Sequence, residues 1–136
     1  MKKLTLIIAV LFIAISSYSQ TVWNLAGENG AGDKFYVDSD VRSTDGDFVI
    51  SAWVKVVYKK YTTEKGKYSL QKYEFDTDKK QYRIMAILFY SSSDKLIDRA
   101  EWTDLEADWS IVAPESVGEI LLLASRYFYR KANTIQ

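Results

Sequence analysis

The four aspartates of the stretch DSDVRSTDGD, Asp38–Asp47, are the residues that most suggest chemistry. Clustered carboxylates can bind calcium, and an EF-hand loop needs oxygen ligands at positions 1, 3 and 5, glycine at 6 and glutamate at 12. In a loop starting at Asp38, Arg42 stands at position 5 and Val49 at position 12, so this pattern fails. The dipeptide Asp45–Gly46 instead favours a hairpin turn. A weak cation site in the acidic turn stays an alternative, but we predict no metal site.

A glycine-rich stretch, GENGAGDK at positions 27–34, is a second candidate, because glycine-rich loops can cradle phosphate groups. A P-loop requires the pattern G-x-x-x-x-G-K-[ST] leading into a helix. In this chain Asp33 precedes Lys34, and a strand pattern follows instead of a helix. The stretch is therefore predicted to be a flexible connection between two strands.

Acidic residues beside two tryptophans form a third candidate, in the segment EWTDLEADW. A pair of carboxylates could supply the acid and the base of a glycosidase, and a tryptophan could stack on the sugar. The two pairs are Glu101 with Asp104, and Glu106 with Asp108. Acidic residues near a loop are more often solvated surface, and tryptophans are more often core or interface residues. We therefore predict no catalytic residue here.

The chain contains neither cysteine nor histidine. Without cysteine it has no disulfide and no thiolate nucleophile. Without histidine it lacks the usual general base and the usual zinc or haem ligand. Serine–histidine triads, papain-like dyads and histidine-based metal sites are thereby excluded. These absences favour a non-enzymatic protein that uses no cofactor.

The first residues, 1–19, have the layout of a bacterial secretory leader. The positively charged start MKK is followed by the apolar run Leu4–Ile15 and by the small residues Ser17 and Ser19. The apolar run is shorter than the ~20 residues of a membrane-spanning helix. We expect the leader to be removed, and residues 20–136 to form a single exported domain that is periplasmic, secreted or at the cell surface.

The charge of the chain is nearly balanced once the leader is removed. The leader carries two of the 18 lysines and arginines and none of the 18 acidic residues, which leaves 16 basic against 18 acidic side chains. A nucleic-acid-binding domain usually carries a clear excess of positive charge. We therefore expect no nucleic-acid partner, and no membrane span in the mature chain.

Alternating apolar residues predict a sheet. The segment Phe48–Tyr61 carries apolar side chains at its even positions, which is typical of a strand with one face on the core. Turn-forming residues separate six such segments, which favours a meander of about six antiparallel strands. The core positions predicted on the third and fifth strands are Phe48, Ile50, Ala52, Val54, Val56 and Tyr58, and Tyr82, Ile84, Ala86, Leu88 and Tyr90.

The C-terminal segment PESVGEILLLASRYFYRK changes to a helical period. Ser116 and Glu119 fit a capping box, in which each side chain bonds the backbone N–H of the other residue. The expected fold is α+β, with a six-stranded antiparallel sheet and this helix packed on one of its faces. The helix residues predicted to face the sheet are Val117, Ile120, Leu121, Ala124 and Phe128.

Ten tyrosines and four tryptophans are more aromatic residues than the core of six short strands needs. Tyr and Trp provide large, rigid contact areas in protein interfaces. On the wetter face of the third strand, Trp53, Lys55, Lys59 and Tyr61 form the candidate protein-binding face. A second interpretation stays open, in which the same residues pack under a loop or against a second copy.

The order of several short motifs resembles the surface-adhesin protein E family of exported bacterial proteins. The likeness runs through FYVDSDVRSTDGDFVISAWVKVVYKK, YSLQKYEFDTDKKQYRIMAILFYSSSDKLI, EWTDL and APESVGEILL, nearly the whole chain after the leader. The positions that match the family pattern are Tyr36, Asp38, Trp53, Val54, Ser69, Tyr73, Asp76, Tyr82, Arg83, Pro114, Ser116 and Glu119.

The resemblance implies a six-stranded antiparallel sheet with a C-terminal helix on one face. It also implies that the protein can form homodimers and, as in the best-known member, that it adheres to host matrix proteins such as vitronectin and laminin. A family disulfide is implied at positions near Thr77 and Ser125, where this chain has no cysteine. Burial alone must then hold the helix, and the lipid-anchor cysteine of the best-known member is missing too.

These observations predict an exported, non-enzymatic domain that binds a protein partner, such as a matrix or envelope protein, or is associated with the cell surface. The alternative is a periplasmic accessory or structural module that acts through self-association or through a protein partner.

Overall fold

The computed structural model describes residues 21–46, 48–62 and 66–134. The predicted leader lies outside these residues. The described part of the chain forms eight strands and one helix. They are β1 (Trp23–Glu28), β2 (Lys34–Asp38), β3 (Arg42–Asp45), β4 (Val49–Thr62), β5 (Gly66–Asp76), β6 (Gln81–Tyr90), β7 (Leu96–Glu101), β8 (Ser110–Ile111) and α1 (Val117–Thr134).

The sheet is an antiparallel meander with two additional short strands. Its main path has the order β1-β2-β4-β5-β6-β7, which confirms the predicted six-stranded meander. Beside this path, β3 pairs with β4 beyond the end of β2, and β8 pairs with β6 beyond the end of β7. With four and two residues, β3 and β8 are too short to show an alternation, so the sequence pattern does not reveal them.

The hairpin predicted at Asp45–Gly46 is confirmed. β3 and β4 are antiparallel neighbours, and Asp45 pairs with Val49 across the turn. Gly46 has a φ of 59°, in the left-handed region that glycine adopts without steric cost. The acidic segment therefore contains a turn that enters β4.

β4 supplies the centre of the core, as its alternation predicts. Its buried side chains are Ile50, Ala52, Val54 and Val56. Tyr58 is partly buried and packs against this cluster. Phe48 is 63 % exposed, so its predicted burial is wrong. It lies in the turn before Val49, where the alternation imposed by strand pairing does not apply.

A register slip at Met85 divides β6 into two halves. Before the slip, Tyr82 and Ile84 pack against the core as predicted. After it, β6 residues pair with the outward residues of β5: Ala86 with Lys72, Leu88 with Leu70, and Tyr90 with Tyr68. A slip of one residue exchanges the two faces of a strand. The predicted place of Leu88 and Tyr90 in the core under the helix is therefore wrong, whereas Ala86 is buried on the opposite face.

α1 begins at the predicted cap. The N–H of Glu119 donates to Ser116 Oγ at 3.2 Å, which satisfies one of the free donors of the first helical turn. The Glu119 carboxylate accepts from the N–H of Glu115 at 3.4 Å, one residue earlier than in the standard box. The N–H of Ser116 donates instead to the carbonyl of Ala113.

α1 packs on one face of the sheet, over β1, β2 and β4. Its buried residues are Leu121, Leu122 and Ser125, with Val117, Ala124, Phe128 and Tyr129 partly buried against them. Ile120 is 38 % exposed, so its predicted burial is wrong. It lies at the margin of the contact, where a Cβ on Gly27 of β1 would meet its side chain at 3.4 Å. The helix is rotated so that Leu122 is buried instead.

Candidate protein-binding face

The sheet face opposite α1 carries aromatic and cationic side chains. Residues directly opposite on paired strands point to the same side, so the register defines this face. Trp53 lies beside Lys72 of β5, and Lys55 lies between Tyr36 of β2 and Leu70 of β5. We name this surface the open face. Its central residues are Tyr36, Trp53, Lys55, Tyr68, Leu70, Lys72, Leu88 and Tyr90.

A lysine and two tyrosines form a stack at the centre of the open face. Lys55 Nζ lies 4.6 Å from the centre of the Tyr68 ring, which is the distance of a cation–π contact. The Tyr68 and Tyr90 rings are parallel, with centres 5.1 Å apart. The Tyr68 hydroxyl donates to Asp94 Oδ1 at 2.9 Å. Burial and this hydrogen bond raise the pKa of Tyr68 to about 12, so the Tyr68 hydroxyl keeps its proton near neutral pH.

Trp53 stands in a cleft on the β3 side of the open face. The cleft has a volume of about 360 Å³, and we name it the Trp53 cleft. Its lining includes Asp38, Asp40, Arg42, Ser51, Trp53 and Lys72. Arg42 donates from Nε and Nη2 to the two carboxylate oxygens of Asp40, at 3.2 and 3.1 Å. Partial burial raises the pKa of Asp38 despite the hydrogen bond that it accepts from the N–H of Asp40.

Lys59 and Tyr61 do not join Trp53 and Lys55. The regular register between β4 and β5 breaks after Val57. The N–H of Lys59 donates to Asp33 Oδ1 at 3.0 Å, and a Cβ on Gly32 would lie 2.6 Å from the Lys59 Cδ atom. Lys59 therefore packs on the β1–β2 loop, whereas Tyr61 is 55 % exposed near the end of β4. Protein binding by the four residues stays a prediction.

An arginine of β6 fixes the loop between β7 and β8 on the side of the open face away from β3. Arg83 donates from Nε to Glu74 Oε1 at 2.8 Å, and both side chains are almost buried. Its Nη1 donates to the carbonyl of Asp104 at 3.2 Å, and its Cζ atom lies 4.5 Å above the Trp109 ring. This ion pair and its stacking partner hold the loop, and Trp109 is thus a packing residue.

One carboxylate of each pair that was considered for a glycosidase is used in a local contact. Glu106 Oε1 accepts from the N–H and from the hydroxyl of Thr103, at 3.2 and 2.7 Å. These bonds lower the pKa of Glu106, whereas the general acid of a glycosidase needs a raised pKa. Asp104 Oδ1 faces Arg83 Nη2 at 3.4 Å. Glu106 and Asp108 line a shallow cleft of about 330 Å³, but this geometry does not favour catalysis.

The sequence does not predict that several of the open-face residues lie on this face. Tyr68, Leu70 and Lys72 occupy alternate positions of β5. The alternation alone does not show whether these residues or the ones between them face the helix. Tyr90 and Leu88 reach the open face only because of the slip at Met85. A single-sequence signal for this slip is missing, so only the pairing reveals them.

The described residues include neither a group of metal ligands nor a membrane-spanning helix. No cluster of three or more carboxylate, histidine or cysteine side chains there is arranged to hold a metal ion. The described helix is not apolar enough over a sufficient length to cross a membrane.

The protein-family model described as surface-adhesin protein E matches residues 23–124. The match starts at the first residue of β1 and ends inside α1, so it includes the whole sheet and both faces described above. The chain belongs to the surface-adhesin protein E family. No curated protein and no solved structure matches the chain significantly.

Membership of the surface-adhesin protein E family supports an adhesin-like role and a surface or extracellular location. It also agrees with the fold, an antiparallel sheet with one C-terminal helix. The family positions named from the sequence occur on both faces. Asp38 and Trp53 line the Trp53 cleft, whereas Val54 and Tyr73 are core residues.

Proposed function

We propose that the protein is an exported, non-enzymatic adhesin-like module whose open face binds a protein partner. The observation that carries the proposal is the lysine–tyrosine stack beside Trp53 on a sheet face that the described helix does not cover. Tyr and Trp are enriched at the centres of protein interfaces, where their rings bury a large area at a low cost in side-chain entropy.

The charges of the open face indicate the kind of partner. Lys55 and Lys72 lie on adjacent strands at its centre, and neither forms an ion pair with the described residues. Acidic groups on a partner would complement these two ammonium groups and speed the encounter. We therefore propose a matrix or envelope protein that presents carboxylates around an apolar contact.

The location of the protein is part of the proposal. Residues 1–19 act as a leader that is removed, and residues 20–136 work as one domain outside the cytoplasm. An adhesin must reach its partner, so we place the mature protein at the cell surface or in the surrounding medium rather than in the periplasm.

Binding to immobilised laminin and vitronectin, measured by surface plasmon resonance, tests the proposal. The variants Lys55→Glu and Tyr90→Ser should each weaken binding by about tenfold, since they place like charge or remove stacked area at the interface. Lys79→Glu makes the same charge change at an exposed position in the β5–β6 turn and should leave binding unchanged. Thermal unfolding of each variant verifies that the fold is retained.

Equal binding by wild type and both open-face variants would contradict the proposal. The alternative, a periplasmic module that acts through self-association, predicts a different result. In that case sedimentation velocity would show a dimer that Lys55→Glu dissociates, and no binding to either matrix protein.

A further inference from the structure

The Trp53 cleft exists because two strands share one edge of β4. β2 pairs with β4 from Val54 to Val57, and β3 pairs with it from Val49 to Ser51. Neither strand pairs with Ala52 or Trp53, so a gap remains between the end of β2 and the start of β3. The outward ring of Trp53 stands at this gap and forms part of the cleft wall.

The charges around the gap are balanced. Asp38 and Asp40 supply two carboxylates, and Arg42 and Lys72 supply two cations. A site with equal charges of both signs does not favour a small anion or a small cation, and it lacks the positive excess that binds nucleotides. A neutral ligand with many hydrogen-bonding groups fits this balance better.

Several polar side chains of the cleft form local hydrogen bonds and still have free bonding capacity. Thr44 Oγ1 donates to the carbonyl of Val49 at 3.4 Å, and Ser43 Oγ donates to the carbonyl of Gly46. Arg42 uses two of the five N–H donors of a guanidinium on Asp40. Each ionised carboxylate offers about four acceptor sites, so Asp40 can accept further hydrogen bonds.

We propose that the Trp53 cleft binds a saccharide, with the Trp53 ring against the apolar C–H face of a pyranose. Asp38 and Asp40 accept hydrogen bonds from the sugar hydroxyls, and Arg42 and Lys72 donate to the hydroxyl oxygens. A pyranose has both an apolar face and a polar edge, which matches one aromatic wall surrounded by donors and acceptors. The volume of about 360 Å³ is at the lower end of the range for ligand pockets, which suits one or two sugar units.

This inference goes beyond protein binding by the open face. A sugar of this kind could come from an aminosugar polymer of the cell wall or from the neutral hexoses of a glycoprotein. The chemistry of recognition is the same in both, so the experiment has one arm for each source.

The test is a titration of the full protein followed by NMR and by tryptophan fluorescence. The probes are N-acetylglucosamine and its β-1,4-linked dimer in one arm, and galactose, mannose and their disaccharides in the other, each up to about 50 mM. We expect the sugars of one arm to shift the NMR signals of the Trp53 indole N–H and of the Arg42 and Lys72 amides. The arm that responds identifies the source of the saccharide.

Variants separate stacking from general effects on the fold. Trp53→Ala should weaken sugar binding by about tenfold, and Lys72→Ala by about threefold, as expected for one ring contact and one hydrogen bond. Trp53→Phe keeps a ring and should lose less than Trp53→Ala. The matched control Trp102→Ala removes an exposed tryptophan that follows β7 and lies outside the lining of the Trp53 cleft, so it should leave sugar binding unchanged.

The proposal is overturned if neither arm shifts the cleft signals, or if Trp102→Ala weakens the response as much as Trp53→Ala does. A third outcome also overturns it: the cleft variants reduce laminin or vitronectin binding while no saccharide binds, which would make the cleft part of the protein interface. If Lys55→Glu does not weaken binding to laminin or vitronectin, the proposal of protein binding fails but the saccharide titration is unaffected. The two proposals can therefore fail separately.

Discussion

The two faces of the sheet are made by the same strands but bury different side chains. Under α1, β4 and β5 present compact apolar residues such as Val54 and Phe75, which have no exposed surface. On the open face the same strands present Trp53, Lys55 and Tyr68, each with a polar or charged group that stays near water. The covered face thus provides stability, whereas the open face keeps side chains available for contacts with a partner.

The largest effect is expected on the covered face. Phe75→Ala should lower the free energy of unfolding by about 3–5 kcal/mol, because it opens a cavity in a fully packed site. Tyr90→Ala on the open face removes the stack on Tyr68 and should cost only about 1 kcal/mol. Urea denaturation measures both. Equal losses would mean that the open face supports the fold as much as the core does.

The next effect concerns the part of the open face that the β7–β8 loop covers, at Glu74 and Arg83. Glu74→Ala removes the buried partner of the almost buried Arg83 guanidinium and leaves it only the exposed Asp104, so the variant should cost about 3 kcal/mol. The double variant Glu74→Leu with Arg83→Met removes both charges and should recover most of this loss in the same urea experiment. A loss under about 1 kcal/mol for Glu74→Ala would show that the loop opens to solvent instead.

Two buried serines on the covered side should respond in opposite directions. Ser125 is fully buried, and its Oγ atom has no hydrogen-bond partner among the described residues. Ser125→Ala should therefore stabilise the protein by about 1 kcal/mol in thermal unfolding.

Ser69 is the matched control for Ser125. It is equally buried, but its Oγ atom bonds the hydroxyl of Tyr58 at 2.9 Å. Ser69→Ala should destabilise the protein by about 1 kcal/mol, since it leaves that hydroxyl without this partner. If both variants destabilise, the Ser125 hydroxyl has a partner in solution, such as the backbone of its own helix.

The smallest expected effect concerns the pKa values of two tyrosines, one from each face. Burial, with Tyr82 nearby, raises the pKa of Tyr73 to about 12, and burial with the Asp94 hydrogen bond does the same for Tyr68. Both folded pKa values exceed that of the unfolded chain. Their contribution to stability is thus complete below pH 10 or so and is lost as the pH rises through about 12.

Absorbance titration of phenolate ionisation separates the effect of burial on the tyrosine pKa from the effect of the Asp94 hydrogen bond. Asp94→Asn should lower the pKa of Tyr68 and leave that of Tyr73 unchanged, because only Tyr68 bonds this carboxylate. Equal shifts of both tyrosines would mean that the substitution loosens the whole sheet.

The sequence by itself predicted the elements whose signals are local. The alternation of β4, the Asp45–Gly46 turn and the Ser116 cap of α1 each depend on residues within a few positions of one another. For these the backbone period and the turn chemistry are sufficient. The candidate residues Trp53 and Lys55 follow from the same alternation, and the structure places both on the open face.

Only the tertiary structure decided how the elements fit together. The slip at Met85 transfers Tyr90 to the open face, and the rotation of α1 buries Leu122 in place of Ile120. The gap beside Trp53 depends on where β2 ends and β3 begins along one strand edge. These features arise from pairing and packing between distant segments, and a periodic pattern within one segment carries no information about the register of its neighbour.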